Sequence, residues 1–251
     1  LSVLTILGAM PVNSDGVWSP VVWSSHVRRN FYDVARVESK IYVVGGTPAD
    51  NNELFSSRMD EFDLDSGTWK TLANMSMARS HLGVATVGGN VYALGGRSTC
   101  ITECMTSAVE MYNSQRDSWK PVRHMNVSRS HFGTAIFNKQ IYVSGGFSGR
   151  LSLTTCSMEI YNATSDMWME GPQMPVCLAN HQMITFDSKI YVVGGYARGD
   201  VSKSILIYDP SSKQWDIGSD MSQRREAPAI DYVNGRLFVV SFDTNTKCFS
   251  M

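Results

Sequence analysis

Two adjacent glycines recur along this chain at nearly constant intervals, each time at the end of a similar short apolar run. The four runs read IYVVGG, VYALGG, IYVSGG and IYVVGG, and their first glycines are Gly45, Gly95, Gly145 and Gly194. The steps between these glycines are 50, 50 and 49 residues. A fixed period of this length is typical of repeat architectures. The sequence therefore predicts one structural unit that is built at least four times.

Each unit carries the pattern of four short antiparallel strands, which we label a to d in chain order. Strand b is the apolar run, and the glycine pair ends it because glycine tolerates φ > 0. A small-residue run such as HLGVATV precedes it as strand a. Strands c and d are marked by an aromatic residue and a tryptophan seven residues later, with a polar turn between them. These pairs are Phe62 and Trp69, Tyr112 and Trp119, Tyr161 and Trp168, and Tyr208 and Trp215.

A four-stranded sheet with two apolar faces cannot bury both of them alone. Arranging several such sheets radially buries both faces of each sheet, and the result is a β-propeller. The fold class is therefore predicted to be all-β, with the four-stranded units as blades.

The order of arginine, strand a, double glycine, aromatic followed by Asp or Asn, and tryptophan resembles the kelch repeat. The resemblance covers nearly the whole chain and implies a kelch β-propeller. The stretches ANMSMARSHLGVA and RHMNVSRSHFGTA are most similar to the kelch domains of BTB-BACK-kelch adaptor proteins. The printed residues include no BTB or BACK segment, so we expect at most the C-terminal part of such a protein.

Five blades are preferred here, with six, the usual number in kelch propellers, as the alternative. Arg225 opens a fifth unit whose strand b is Arg236–Phe242. Trp18 matches the strand-d tryptophans, so 2–10 and 14–18 are predicted as strands c and d that complete this C-terminal blade. The predicted organisation is a single domain, 1–251, with repeats at about 26–75, 76–125, 126–174, 175–221, and 222–251 completed by 1–25.

Net charge and cysteine content limit the classes of partner and the cellular compartments that we expect. The formal net charge of −1 argues against nucleic acid or a membrane surface as the main partner. The five cysteines are odd in number and lack zinc or redox spacing, which favours free thiols in a reducing compartment. We therefore expect a cytoplasmic, intracellular protein, with the nucleus as a further location.

Nothing in the sequence predicts catalysis. His81 and His131 hold the same position in adjacent units and are the one histidine pair placed to share a metal. Zinc and copper sites usually take three or four protein ligands, and no third is evident. We expect a binding module without a cofactor; a kelch-type metallo-oxidase is the least favoured alternative.

The predicted partner site lies on one face of the propeller. Because strands alternate in direction, the d–a and b–c loops share a face, and the short a–b and c–d turns share the other. The b–c loops are long and mutually different, as functional loops on a rigid scaffold commonly are. The resemblance to BTB-kelch proteins implies that residues just after the repeat arginine, and the residue after the glycine pair, line the partner pocket. The candidates are Asn30, Phe31, Ser80, His81, Arg97, Ser130, His131, Phe147, Asn180 and Tyr196.

The expected function is protein–protein interaction. The resemblance implies the substrate-recognition module of a cullin-RING E3 ubiquitin ligase adaptor, with the cullin bound through a BTB region. A cytoskeletal, actin-binding or scaffold kelch protein is the alternative. Arginines in and beside the b–c loops favour an acidic or phosphorylated peptide as the partner.

A charge pattern accompanies the repeats. We predict that Arg79 pairs with Glu110 and Arg129 with Glu159, holding strand a to strand c. In unit four, Leu178 and Leu206 replace both members of the pair. A joint replacement is expected because removing one partner alone leaves a buried charge unpaired.

Overall fold

The computed structural model describes residues 29–49, 53–99, 105–149, 151–233, 235–242 and 249–250. Within these residues every regular element is a β-strand, and no helix that could span a membrane is present. The strands are β1 (Arg29–Asn30), β2 (Asp33–Val37), β3 (Lys40–Val44), β4 (Thr47–Pro48), β5 (Met59–Asp63), β6 (Thr68–Thr71), β7 (Gly83–Val87), β8 (Asn90–Leu94), β9 (Val109–Asn113), β10 (Ser118–Val122), β11 (Arg129–Ser130), β12 (Gly133–Phe137), β13 (Gln140–Ser144), β14 (Phe147–Ser148), β15 (Leu153–Thr154), β16 (Met158–Asn162), β17 (Met167–Gly171), β18 (Gln182–Phe186), β19 (Lys189–Val193), β20 (Tyr196–Ala197), β21 (Asp200–Val201), β22 (Ile205–Asp209), β23 (Gln214–Ile217), β24 (Ala229–Val233), β25 (Arg236–Phe242) and β26 (Phe249–Ser250).

Four sheets repeat one antiparallel topology. Their strand orders are β2-β3-β5-β6, β7-β8-β9-β10, β12-β13-β16-β17 and β18-β19-β22-β23. The register also repeats, since the first apolar residue of strand b pairs with the strand-c aromatic, which pairs with the tryptophan: Ile141 with Tyr161, and Tyr161 with Trp168. The all-β class and the a-to-d strand assignment are confirmed.

The hydrophobic core lies between successive sheets. One cluster joins the first two sheets through residues such as Tyr42, Val44 and Val84, and equivalent clusters join the second to the third and the third to the fourth. The strand-a elements β2, β7, β12, β18 and β24 contact one another in that order. Sheets that pack face to face around their first strands form the blades of a β-propeller.

The seven-residue spacing between aromatic and tryptophan recurs in each unit because the two rings pack together and the tryptophan also contacts the neighbouring blade. The ring centroids of Tyr112 and Trp119 are 5.3 Å apart, and those of Tyr161 and Trp168 are 5.0 Å apart. The indole N–H of Trp119 donates to Ala73 O at 2.8 Å, at the end of the preceding sheet. Trp168 and Trp215 fill the next two sheet-to-sheet spaces in the same way, and their indole N–H groups donate to Arg123 O and Pro172 O.

The double glycine is required by a close backbone approach. Gly45 and Gly46 have φ of 67° and 101°. A Cβ at Gly45 would lie 2.6 Å from Arg79 O, and one at Gly46 would lie 2.7 Å from Asn30 O. Any larger residue would push the b–c loop away from the d–a segments that it contacts, so glycine sets this position.

Arginines at the start of units one to three, Arg29, Arg79 and Arg129, each pair with an acid of their own unit. We call them junction arginines because the backbones of Arg79 and Arg129 also bind the preceding unit. The guanidinium of Arg79 donates to Glu110 Oε1 at 2.6 Å and to Ala108 O at 2.9 Å within its own unit. Its backbone binds the preceding unit, donating to Ser56 O and accepting from Gly46 N. Arg129 pairs likewise with Glu159 at 2.8 Å, and both guanidinium groups are fully buried. The predicted ion pairs are therefore present.

Unit four replaces the whole arrangement with apolar groups. Leu178 and Leu206 are fully buried in one cluster. In units two and three the glutamate also accepts a backbone N–H, from Ser76 at 2.8 Å and from Asn126 at 2.6 Å. The equivalent residue in unit four is Pro175, which has no N–H to satisfy. The cation, the anion and the donor have been removed together.

The last sheet has the order β24-β25-β26. Its strand b, β25, runs on through Ser241 and Phe242, because no glycine pair ends it. β24 and β2, at the two ends of the series of first strands, do not pack against each other as the other successive pairs do. The predicted closing strands, 2–10 and 14–18, lie outside the described residues, so the blade number, five or six, stays a prediction.

The junction ion pair is tested by Arg129→Ala. This change leaves the buried Glu159 carboxylate without its cation, and we expect a loss of about 3–5 kcal/mol in the free energy of unfolding. Chemical denaturation of the variant and the parent measures the difference.

The matched controls copy unit four. Arg129→Leu with Glu159→Leu should recover part of the loss but remove the acceptor of two backbone N–H groups, those of Asn126 and Val127. Adding Asn126→Pro should recover more, because it removes the first of these donors. A triple variant that is no more stable than Arg129→Ala would contradict this account of the pair.

Candidate functional site

A chain of backbone hydrogen bonds runs across the d–a segments of five successive units. His81 N–H donates to Phe31 O at 2.9 Å, His131 to His81 at 3.1 Å, Asn180 to His131 at 2.8 Å and Ala227 to Asn180 at 2.8 Å. All five residues have positive φ, between 46° and 56°. Each unit thus places one side chain at the same site and in the same backbone conformation. We call these five positions the mouth residues.

Short two-residue pairings fix the mouth residues against the b–c loops. Ser80 exchanges two backbone hydrogen bonds with Arg97, at 2.7 and 2.9 Å. Ser130 pairs with Phe147 in the next unit, and Ala179 with Tyr196 in the fourth. The two sets of residues singled out in the sequence, after the arginine and after the glycine pair, are therefore adjacent in the structure.

Aromatic rings from three units form a continuous row. Phe31 stacks on His81 with centroids 4.1 Å apart, and His81 stacks on His131 at 3.8 Å. Phe147 meets His131 edge-on at 5.3 Å. Phe31, 47% exposed, ends the row on one side. The row offers a flat, partly apolar surface on which an aromatic or aliphatic side chain can lie.

The two stacked histidines are held neutral. Burial, then the neighbouring His131 and then Arg97, lower the pKa of His81 to about 3. Burial and Arg97 lower the pKa of His131 to about 4. The Nδ1 atom of each ring shares a 3.0 Å hydrogen bond with the hydroxyl of the preceding serine, Ser80 or Ser130. Neutral imidazoles can stack at this distance, whereas two charged ones would repel.

The remaining predicted site residues differ in their surroundings. Asn30 and Arg97 are exposed, whereas Ser80 and Ser130 are buried and act on the adjacent histidines. Asn180 donates to Glu226 Oε1 at 2.6 Å, and Tyr196 is half-buried beside it. The set therefore divides into groups that a partner can touch and groups that orient them.

Two titratable residues near the mouth were not singled out from the sequence. His181 is buried; its Nε2 accepts from Gly133 N at 3.2 Å, and burial lowers its pKa to about 4. Asp33 accepts backbone N–H groups from Val34 and from Val84 in the next unit, yet burial raises its pKa to about 7. The only sequence signal for Asp33 was a charged residue where units two and three have Gly83 and Gly133.

The basic character predicted for this face is partly neutralised. Arg224 pairs with Asp200 at 2.8 Å and Lys203 with Asp220 at 3.0 Å. Arg97 and Arg198 are exposed on the b–c loops. The positive charge available to a partner is therefore concentrated at a few residues, with Arg97 next to the aromatic row.

Two of the cysteines are bonded. Cys156 and Cys177 form a disulfide between the end of one b–c loop and the d–a segment of the next unit. This corrects the expectation that these two are free thiols, which rested on the absence of a recognisable spacing; their separation of 21 residues follows from the fold alone. The described residues hold no group of three or more His, Cys, Asp or Glu side chains arranged to bind a metal.

The comparison with protein families decides the identity of the repeat. The model of the kelch motif matches residues 28–76, 78–126, 128–175 and 177–222, which together make up more than half of the chain. The chain belongs to the kelch-motif family. Kelch propellers are generally binding modules for other proteins, and the loop-rich mouth of this kelch propeller is suited to that role.

A solved structure supports the same fold. The structure of YjhT superimposes on this kelch chain with a TM-score of 0.76, over 87% of this chain and 74% of that one. The two sequences are 16% identical, so the likeness concerns the fold. A search of curated proteins found no match.

The half-buried neutral histidines His81 and His131 predict acid sensitivity of the mouth. A histidine with a lowered folded pKa stabilises the fold fully above its ordinary value of 6.5, and this contribution is lost as pH falls toward about 4. His131→Asn, which copies Asn180 and suits positive φ, should therefore flatten the fall in unfolding free energy over this range. Denaturation at several pH values measures the slope.

The exposed His124 supplies the control, since His124→Asn lies outside the aromatic row. It should keep the parental slope. Because His181 titrates in the same direction, some slope should remain in His131→Asn. Equal slopes in His131→Asn and the parent would show that the stacked pair is not responsible.

Proposed function

We propose that this kelch domain binds a protein partner at the mouth, with a peptide segment lying across the aromatic row. The observation that carries the proposal is the row itself: four rings from three units, partly exposed and fixed by backbone hydrogen bonds. Rigid, preorganised aromatic groups lose little entropy on binding and are frequent anchors of interfaces.

The opposite face supports this choice by contrast. There, the a–b and c–d connections are tight turns, with residues such as Lys139 and Lys213 at positive φ. Their short, similar conformations offer little shape for selective recognition. The mouth, in contrast, combines rings, an exposed arginine and loops that differ from unit to unit.

The partner segment is proposed to be acidic beside an apolar side chain. Arg97 is exposed and close enough to both stacked histidines to lower the pKa of each. A carboxylate or phosphate on the partner would meet the Arg97 guanidinium, while the apolar group lies on Phe31 or Phe147. The neutral histidines contribute surface without competing for the anion.

The cellular role that we propose is substrate recognition for a cullin-RING ubiquitin ligase. Its support is the resemblance of the unit-two and unit-three segments to BTB-BACK-kelch proteins, in which a kelch domain presents the substrate. Co-purification of a cullin with the full-length gene product, and accumulation of the partner when the mouth is mutated, test this role. Binding to a partner whose abundance never responds would favour a scaffold or cytoskeletal role.

The mouth is tested by Phe147→Ala and Tyr196→Ala. Truncating an aromatic anchor commonly costs about 2 kcal/mol of binding, so each change should weaken partner affinity roughly thirtyfold. A titration against the protein captured from cells by the parent domain gives the affinity. An unchanged melting temperature shows that the fold is kept.

Lys139→Glu and Lys213→Glu are the matched controls, because they change charge in turns on the opposite face. Both should bind as the parent does. Loss of the partner in these two, with full binding by the aromatic variants, would place the interface on the turn face.

A further inference from the structure

The junction between units three and four lacks a contact that the comparable junctions have. The backbone N–H groups of Arg79, Arg129 and Arg225 each donate to a carbonyl of the preceding unit, on Ser56, Thr106 and Ser202. Leu178 holds the equivalent position, and in the described residues its N–H makes no such bond to Thr155. Leu178 also has no guanidinium with which to anchor itself in its own unit.

The Cys156–Cys177 disulfide lies at this junction. Cys177 directly precedes Leu178, and Cys156 directly follows Thr155. The equivalent pairs at the other junctions are Ser57 and Ala78, Ser107 and Ser128, and Lys203 and Arg224, none of which can form a covalent bond. A cross-link is therefore present where the noncovalent connection is weakest.

Both ends of the cross-link continue directly into the mouth. Thr155 N–H donates to Gly146 O at 2.9 Å, next to Phe147. Leu178 O accepts from Gly146 N at 2.8 Å, and the following Ala179 exchanges two hydrogen bonds with Tyr196. The disulfide thus fixes the positions of two proposed anchor residues relative to each other.

We propose that Cys156 and Cys177 are a thiol-exchange site that controls how rigidly the mouth is held between units three and four. The expected effect of the disulfide on partner binding rests on the proposed function, but its effect on the rigidity of these segments does not. Oxidised, the pair holds the two segments together. Reduced, the junction has no covalent connection and keeps the apolar contacts of Leu178 together with backbone bonds such as Gly146 N–H to Leu178 O and Met174 N–H to Cys156 O.

The reaction is reversible exchange with a small thiol of the glutathione class. A thiolate attacks one sulfur of the disulfide, forms a mixed disulfide and releases one cysteine thiolate, which takes a proton. A second thiol then releases the other cysteine and leaves as the oxidised dimer. Two thiols are oxidised for each disulfide reduced. Both cysteines are partly exposed, so the attacking thiol can reach them.

The experiment uses the full chain with Cys100→Ser, Cys104→Ser and Cys248→Ser, so that only the proposed pair reports. Samples are equilibrated in mixtures of reduced and oxidised glutathione, and free thiols are counted by alkylation and mass spectrometry. We expect the pair to change from oxidised to reduced within the accessible range. A pair that stays bonded, or stays reduced, in every mixture would overturn the proposal.

Amide hydrogen exchange then measures how readily the backbone at this junction opens. Reduction should speed exchange of the Gly146, Ala179 and Tyr196 amides by about tenfold or more, because their opening no longer has to strain a cross-link. The Ser80 and Arg97 amides at the junction of units one and two serve as the internal control and should not change. Equal exchange in both redox states at Ala179 and Tyr196 would overturn the proposal.

A rescue variant separates this effect from general destabilisation. In Cys156→Ser with Cys177→Ser, the Ala179 and Tyr196 amides should exchange fast at every glutathione ratio. Adding Leu178→Arg and Leu206→Glu, which restores a junction arginine and its acid, should slow them again. Suppose that reduction speeds amide exchange as expected, but Phe147→Ala and Tyr196→Ala bind the captured protein normally. The proposed function then fails, and the thiol-exchange site stands.

Discussion

The fold depends on a buried arginine that belongs to two units at once. The guanidinium of a junction arginine such as Arg79 is paired with an acid and hydrogen-bonded through both terminal nitrogens inside its own sheet, while its backbone completes the b–c loop of the preceding sheet. Removing this cation alone would leave its buried acid unpaired, so the arginine holds the loop geometry at the junctions that contain it, whereas Leu178 and a disulfide replace it before unit four.

The fixed positions of the mouth residues follow from the way in which the arginine holds the backbone. The mouth residue is placed two positions after the arginine, so the chain that the arginine fixes is the chain that presents the ring or amide. Stacking of His81 on His131 is possible because the two backbones are already linked by a hydrogen bond. The surface is therefore organised before any partner arrives, which reduces the entropy that binding would otherwise lose.

Much of the fold could be read from the sequence because each strand is bounded by a residue that has one structural use. The glycine pairs mark close backbone approaches, and the tryptophans fill the space between sheets and bind the preceding one. The charge pairs were also predictable, since Leu178 and Leu206 change together. The role of Pro175 in the same arrangement depends on the bond from Asn126 N–H to Glu159, which the sequence alone does not show.

The remaining features could not be predicted from the sequence, because they depend on which residues lie close together in the folded chain. Cys156 and Cys177 are 21 residues apart and match no motif, and they meet only because a b–c loop ends beside the next d–a segment. The lowered pKa values of His81 and His131 arise from burial between blades, which periodicity does not report. Asp33 likewise depends on Val84 of the neighbouring unit.

The left-handed backbone at the mouth has a consequence for how recognition can diversify. The hydrogen bonds that link the mouth residues use main-chain atoms only, so exchanging one side chain leaves its neighbours in place. Phenylalanine, histidine, asparagine and alanine already occupy these positions. Valine, isoleucine and threonine are disfavoured there, because branching at Cβ conflicts with positive φ. The propeller can therefore acquire new specificities one unit at a time, from an alphabet that its own backbone restricts.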